Sequence, residues 1–127
     1  MTNEFVLEAI TREFPDSVIS HSEPYDLLTL EIKKDDIKKV IHYLRDSSLE
    51  INFLTDICGI HYPESPAKEI GVIYHLHNMM TNFRIRLKAF MPKENAEVDS
   101  MTDLYAGANW MERETFEFYG IKFKGHP

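Results

Sequence analysis

The sequence predicts an α+β fold, a mainly antiparallel sheet with helices packed on one face, in the order α-β-β-α-β-β-β-α. Three observations lead there. Apolar residues recur at helical spacing in three segments. Between those segments they alternate or run together as in strands, and prolines and polar turns punctuate the changes of period. With 127 residues, 43% of them hydrophobic and 28% charged, the chain suits one domain over 1–127 with a continuous core.

The first helix is expected from Asn3 to Phe14, with Asn3 as N-cap and Val6, Ala9, Ile10 and Phe14 on its apolar face; Pro15 stops it. A short strand, Ser17 to His21, turns at Ser22-Glu23-Pro24 into Leu28–Ile32, whose alternation implies one buried face. A second helix starts at Asp35. It presents Ile37, Val40, Ile41 and Leu44 inward and leaves Lys38, Lys39 and Arg45 as a solvated face.

Three longer strands follow: Phe53–Tyr62, Ile70–Leu76 and Phe83–Phe90, the last with Arg84, Arg86 and Lys88 on a basic, wet face. Pro92–Ser100 reads as a polar acidic loop. In the last helix Asn109 and Glu112 can form a capping box, and Met111, Thr115, Phe118 and Tyr119 share one face. Gly120 suits a left-handed C-terminal residue with Ile121 closing over it, and Lys122–Pro127 then runs extended.

Charge and composition exclude several functions. A net charge of −7 disfavours nucleic acid and anionic lipid, both of which need a basic face. The single cysteine, Cys58, allows no internal disulfide and suits a reducing compartment; it also cannot ligate an iron–sulfur cluster. The N-terminus has neither the basic nor the apolar region of a secretory signal, and no run of apolar residues is long enough to span a bilayer. The five glycines are scattered and form no phosphate loop.

Among residues able to carry chemistry, His75 and His77 lie two apart on one strand face. Zinc needs three or four converging ligands, and His61 on the preceding strand falls opposite Gly71, away from His77. A wet strand face is therefore the expected reading. Cys58 reads as a buried small hydrophobe. Glu114 and Glu117 are neighbours at i, i+3 and could serve a hydrolase together with a histidine, which requires a pocket where they converge.

The run Ala108-Asn109-Trp110-Met111-Glu112-Arg113-Glu114-Thr115-Phe116-Glu117-Phe118-Tyr119-Gly120-Ile121-Lys122-Phe123-Lys124-Gly125-His126-Pro127 closely resembles the signature of the C-subunit family of respiratory complex I, A-N-W-x-E-R-E-x-x-D-x-x-G-I-x-F-x-G-H-P. Only Glu117, standing where Asp is usual, departs from it. Leu54-Thr55-Asp56-Ile57, Tyr62-Pro63, Tyr74-His75-Leu76, the strand around Arg86 and Ser100-Met101-Thr102 are also similar to the family. The likeness runs from about Phe53 to the end.

The resemblance implies a non-catalytic assembly subunit of the peripheral arm of a proton-pumping NADH:quinone oxidoreductase, without flavin, cluster, metal or quinone of its own. Its implied partners are the quinone-site subunit, a relative of the hydrogenase large subunit, and the iron–sulfur subunits. Its implied place is the cytoplasmic face of the membrane, reached only through the complex. The equivalent subunit of a membrane-bound hydrogenase or formate hydrogenlyase is the alternative. In the family the chain continues past Gly-His-Pro into a tail, so the sequence here is expected to be a trimmed or fused form. The residues expected at the partner interface are Glu112, Arg113, Glu114, Glu117, Gly120, Phe123, Gly125, His126 and Pro127, with Trp110 partly in the core.

Overall fold

A computed structural model describes all residues, 1–127. Helix α1 (Asn3–Glu13) leads into β1 (Val18–Ser22) and β2 (Leu28–Ile32). Helix α2 (Ile37–Asp46) is followed by β3 (Phe53–His61), β4 (Ile70–Asn78) and β5 (Phe83–Met91). A short strand β6 (Glu97–Asp99), helix α3 (Ala108–Tyr119) and a last strand β7 (Lys122–Lys124) complete the chain. The predicted α+β class and element order hold, with β6 and β7 added.

The main sheet has the order β1-β2-β5-β4-β3. Its pairings are antiparallel except for β2 with β5, which run parallel. A parallel pair needs a long crossover, and the chain from β2 through α2, β3 and β4 supplies it. Strand β6 pairs in parallel with β7 in a separate two-stranded sheet. The stretch Pro92–Ser100, read as a polar acidic loop, therefore contains a strand. Its alternation is only three residues long, and its partner lies past α3 in sequence, so no local pattern announces it.

All 28 buried hydrophobic residues form one cluster. Val6, Ala9 and Ile10 of α1 and Ile37, Val40, Ile41 and Leu44 of α2 meet Leu28, Leu30, Ile85, Leu87, Val72, Tyr74 and Leu76 of the sheet. Both helices thus cover the same face. Phe14 is half-buried and packs edge-on against Tyr43, with ring centroids 5.5 Å apart.

Local starts and stops differ in instructive ways. Thr2, not Asn3, caps α1, its hydroxyl accepting from the Phe5 N–H at 3.1 Å. Asn3 instead donates to Glu23 and to the Asp26 carbonyl, both at 3.0 Å. Asp35 lies in a one-turn 3₁₀ segment before α2, and Asp36 holds the cap position without a side-chain bond to the helix. Thr29 is buried as well as Leu28, Leu30 and Ile32, so β2 is covered on both faces at that point.

Gly120 ends α3 at φ +71°, and its N–H donates to the Phe116 carbonyl at 2.8 Å. Ile121 is buried directly after it, as the sequence predicts for a left-handed cap. Gly120→Ala is expected to cost about 1 kcal/mol, the steric penalty of a Cβ in this conformation. Chemical denaturation of the purified variant measures it.

Candidate docking surface

The C-terminal segment is held by α2 and by the turn before α3. The Lys38 ammonium pairs with Asp103 at 2.9 Å, the Arg45 guanidinium lies over the Tyr105 ring at 5.9 Å, and Lys34 donates to the Glu97 carbonyl at 3.3 Å. Lys38 and Arg45 are thus tethers rather than a free solvated face. Tyr105 and Leu104 donate their N–H groups to the Met101 carbonyl, and Ala108 donates to Tyr105.

Glu112 makes the strongest link. It is fully buried, accepting from the Ser100 hydroxyl at 2.7 Å through one oxygen and from the Met101 N–H at 2.7 Å through the other. The Ser100 hydroxyl also lies 2.8 Å from that of Thr102. Burial raises the Glu112 carboxyl above its ordinary range, against these bonds, which lower it. The nearby Tyr74 hydroxyl is buried without a partner, and burial, with the Glu112 and Asp99 charges, pushes its ionisation upward.

Two expectations are corrected by this geometry. There is no Asn109–Glu112 capping box: α3 starts two residues earlier, with Gly107 in place of Asn109 at the cap position and no side-chain bond. Glu112, expected at an interface, is turned inward to serve the Ser100–Met101 strand end. Sequence distance conceals this, since the partners sit 11 and 12 residues upstream.

The buried side of α3 is Ala108, Glu112 and Thr115. Trp110 projects from the opposite side and is 63% exposed, rather than partly in the core; Phe116 is 52% and Phe118 78% exposed. Phe118, predicted on the same face as Met111 and Thr115, falls outside because the buried stripe is centred on Ala108 and Thr115. The Arg113 guanidinium lies 5.5 Å from the Trp110 ring centroid, which orders both side chains.

Tyr119 packs over Gly59 of β3, where a Cβ would approach the ring within 2.6 Å of Cγ. A lone glycine in an apolar strand is the sequence signal for such a close approach.

The other interface candidates divide in two. Phe123 is buried in the core as part of β7, so it anchors the segment instead of facing outward. Arg113, Glu114 and Glu117 are exposed. Gly125 turns the chain at φ +85°, which brings the His126 ring back to donate through Nε2 to the Asn109 carbonyl at 3.1 Å. Lys122–Lys124 therefore runs extended as predicted, but the chain bends after it. Pro127 is exposed.

Glu112, Arg113, Phe116, Lys122, Phe123 and His126 line a cleft of ≈ 260 Å³ between α3 and β7. Glu117 and His126 line an adjoining cleft with Arg113 and Pro127, and Glu114 lies in neither. The convergence of Glu114, Glu117 and a histidine required by a hydrolase does not occur.

The histidine pair on β4 is also engaged. Arg86 Nε donates to His75 Nε2 at 3.0 Å, and His77 Nε2 lies 2.9 Å from Asn82 Oδ1. His61 pairs with Ile70, one residue from the predicted register. No group of three His, Cys, Asp or Glu residues is placed to hold a metal ion. Cys58 is half-buried, not buried; desolvation, with Asp56 adding and Arg86 opposing, raises its thiol, which disfavours the reactive thiolate. No helix is long and apolar enough to cross a membrane.

Comparison with known proteins agrees with this architecture. The family model described as the 30 Kd subunit of respiratory-chain NADH dehydrogenase matches residues 30–127. The C subunit of NADH-quinone oxidoreductase from Azorhizobium caulinodans is 40% identical over 119 residues, covering 93% of this chain and 56% of the relative. The same subunit from Roseiflexus sp. is 38% identical over 129 residues, covering 100% and 73%. The chain thus spans little more than half the length of the first of these relatives.

Among solved structures, the trypsin-resistant fragment of Nqo5 superposes with a TM-score of 0.85 at 26% identity, covering 100% of this chain and 98% of that one. A chain of an archaeal membrane-bound sulfane sulfur reductase shares the fold, with a TM-score of 0.82 at 21% identity over 98% of this chain and 71% of that one. The chain belongs to the family of the 30 Kd subunit of respiratory-chain NADH dehydrogenase, the C subunit of complex I.

Proposed function

We propose that this chain is a non-catalytic assembly subunit of the peripheral arm of an NADH-quinone oxidoreductase. It docks through the outer face of α3 and the segment after it against the quinone-site subunit, beside the iron–sulfur subunits. It reaches the cytoplasmic face of the membrane only through them. The observation that carries the reading is the division of labour within α3. Glu112 and Thr115 lock the helix inward, while Trp110, Phe116 and Phe118 remain exposed beside Arg113. Large exposed aromatics with an arginine are the composition of an interface centre, and a helix tethered on its other side presents them in fixed geometry.

Affinity purification of the tagged full-length protein from detergent-solubilised membranes tests this. The quinone-site and iron–sulfur subunits are expected to co-purify, and Arg113→Glu with Glu114→Lys is expected to reduce their recovery at least fivefold without unfolding the chain. Recovery of the protein alone would overturn the reading. Recovery with a hydrogenase catalytic subunit would transfer it to that class of complex.

A further inference from the structure

The sheet face opposite the core carries no helix. Its side chains are those that alternate with the buried positions, and the pairing sets them in rows across the strands. Arg84, Arg86 and Lys88 stand along β5, next to His77, His75 and Ile73 of β4. In a chain with an excess of acidic residues, these three cations make no ion pair, whereas Lys68, beside them, lies 2.6 Å from Glu31. The only other carboxylate in the rows is Asp56, at the β3 edge opposite His75.

Arg86 is held in place by its bond to His75. Burial and the guanidinium both disfavour protonation of that imidazole, so it orients Arg86 without competing for an anion. Apolar surface lies between the charges: Ile60, Ile73 and Phe90 are half-exposed, and Tyr62 stacks near Phe90 at 5.9 Å.

We infer that this open face is a second docking surface, whose occupant is the acidic face of a partner protein in the same assembly. Charge complementarity selects the partner. Forked arginine donors suit carboxylates, and the half-buried apolar residues between them provide a contact centre. An anionic bilayer is a poorer match, since the net charge of −7 repels it and only three cations on this face are free of an ion pair. The exposed rows of the central strands give a footprint on the order of 400 Å², about half of one side of a standard interface, which fits a contact supplementary to α3. The inference rests on the chain being an assembly subunit, but not on where α3 docks.

The test is site-specific photo-cross-linking in the assembled complex, with p-benzoylphenylalanine incorporated in place of Ile73 and, in a parallel sample, in place of Trp110. Illumination is expected to join position 73 to one partner protein at a peptide rich in Asp and Glu. Arg84→Glu with Lys88→Glu is expected to lower that yield at least fivefold, with the urea midpoint of the purified chain unchanged. Adducts to lipid, to this chain itself or to a peptide without acidic residues would overturn the inference, as would no adduct or a yield insensitive to charge reversal. Loss of cross-linking at position 110 alone counts against the α3 docking and not against this surface.

Discussion

Replacing Glu112 with alanine is expected to destabilise the fold by about 2–4 kcal/mol, seen as a lower urea midpoint at an unchanged slope. The truncation removes both acceptors that Glu112 provides and leaves the N–H of the buried Met101 without a protein partner. The Ser100 hydroxyl still has Thr102 nearby, which keeps the loss below that of two orphaned donors. Glu112→Gln is expected to fall between wild type and alanine, because one acceptor survives while the amide NH₂ must face a donor.

The pH dependence of that comparison has a definite sign. Burial raises the Glu112 carboxyl in the folded state, so the folded chain holds the proton more readily than the unfolded one. The stability from the protonated form is fully present below the unfolded value and is lost as pH rises through the folded value. The deficit of Glu112→Gln relative to wild type is therefore expected to be largest at pH values below the ordinary carboxylate range. It shrinks as pH rises through the raised carboxyl range. A deficit constant with pH would mean that the Glu112 carboxyl binds its proton equally in the folded and unfolded states.

Gly59→Val is expected to cost about 1–3 kcal/mol, as overpacking does in a close-packed site. The new side chain would occupy the position of the Tyr119 ring, so the ring must leave its seat on β3, which strains the last turn of α3. Combining the substitution with Tyr119→Ala is expected to restore part of the loss, giving a clear non-additivity in a double-mutant cycle. Additive effects would show that Tyr119 already swings free of Gly59 at little cost. The same displacement would tilt the Trp110–Arg113 surface, so co-purification of partners is expected to weaken in Gly59→Val and recover in the double variant.

Local patterns were sufficient for most of the architecture. The spacing of Ile37, Val40, Ile41 and Leu44 predicts the buried stripe of α2, because helical periodicity reports directly on which side faces a core. Alternation in Phe83–Met91 separates core from open face along β5, and Gly120 marks the left-handed end of α3. The run from Ala108 to Pro127 was specific enough to indicate the family.

Other features depended on contacts between distant residues. The β6–β7 pairing, the parallel junction of β2 with β5 and the seat of Tyr119 on Gly59 join segments that share no local signal. The same holds for the direction in which each charged residue of α3 points. Within one dense motif Glu112 goes inward because Ser100 and Met101 offer it donors, and Arg113 goes outward onto Trp110. Sequence alone determined that this chain forms an α+β sheet covered by helices, since hydrophobic period is a one-dimensional property. Only the tertiary structure decided which motif residues hold the fold and which remain free to bind, because hydrogen-bond satisfaction and burial depend on what lies opposite in space.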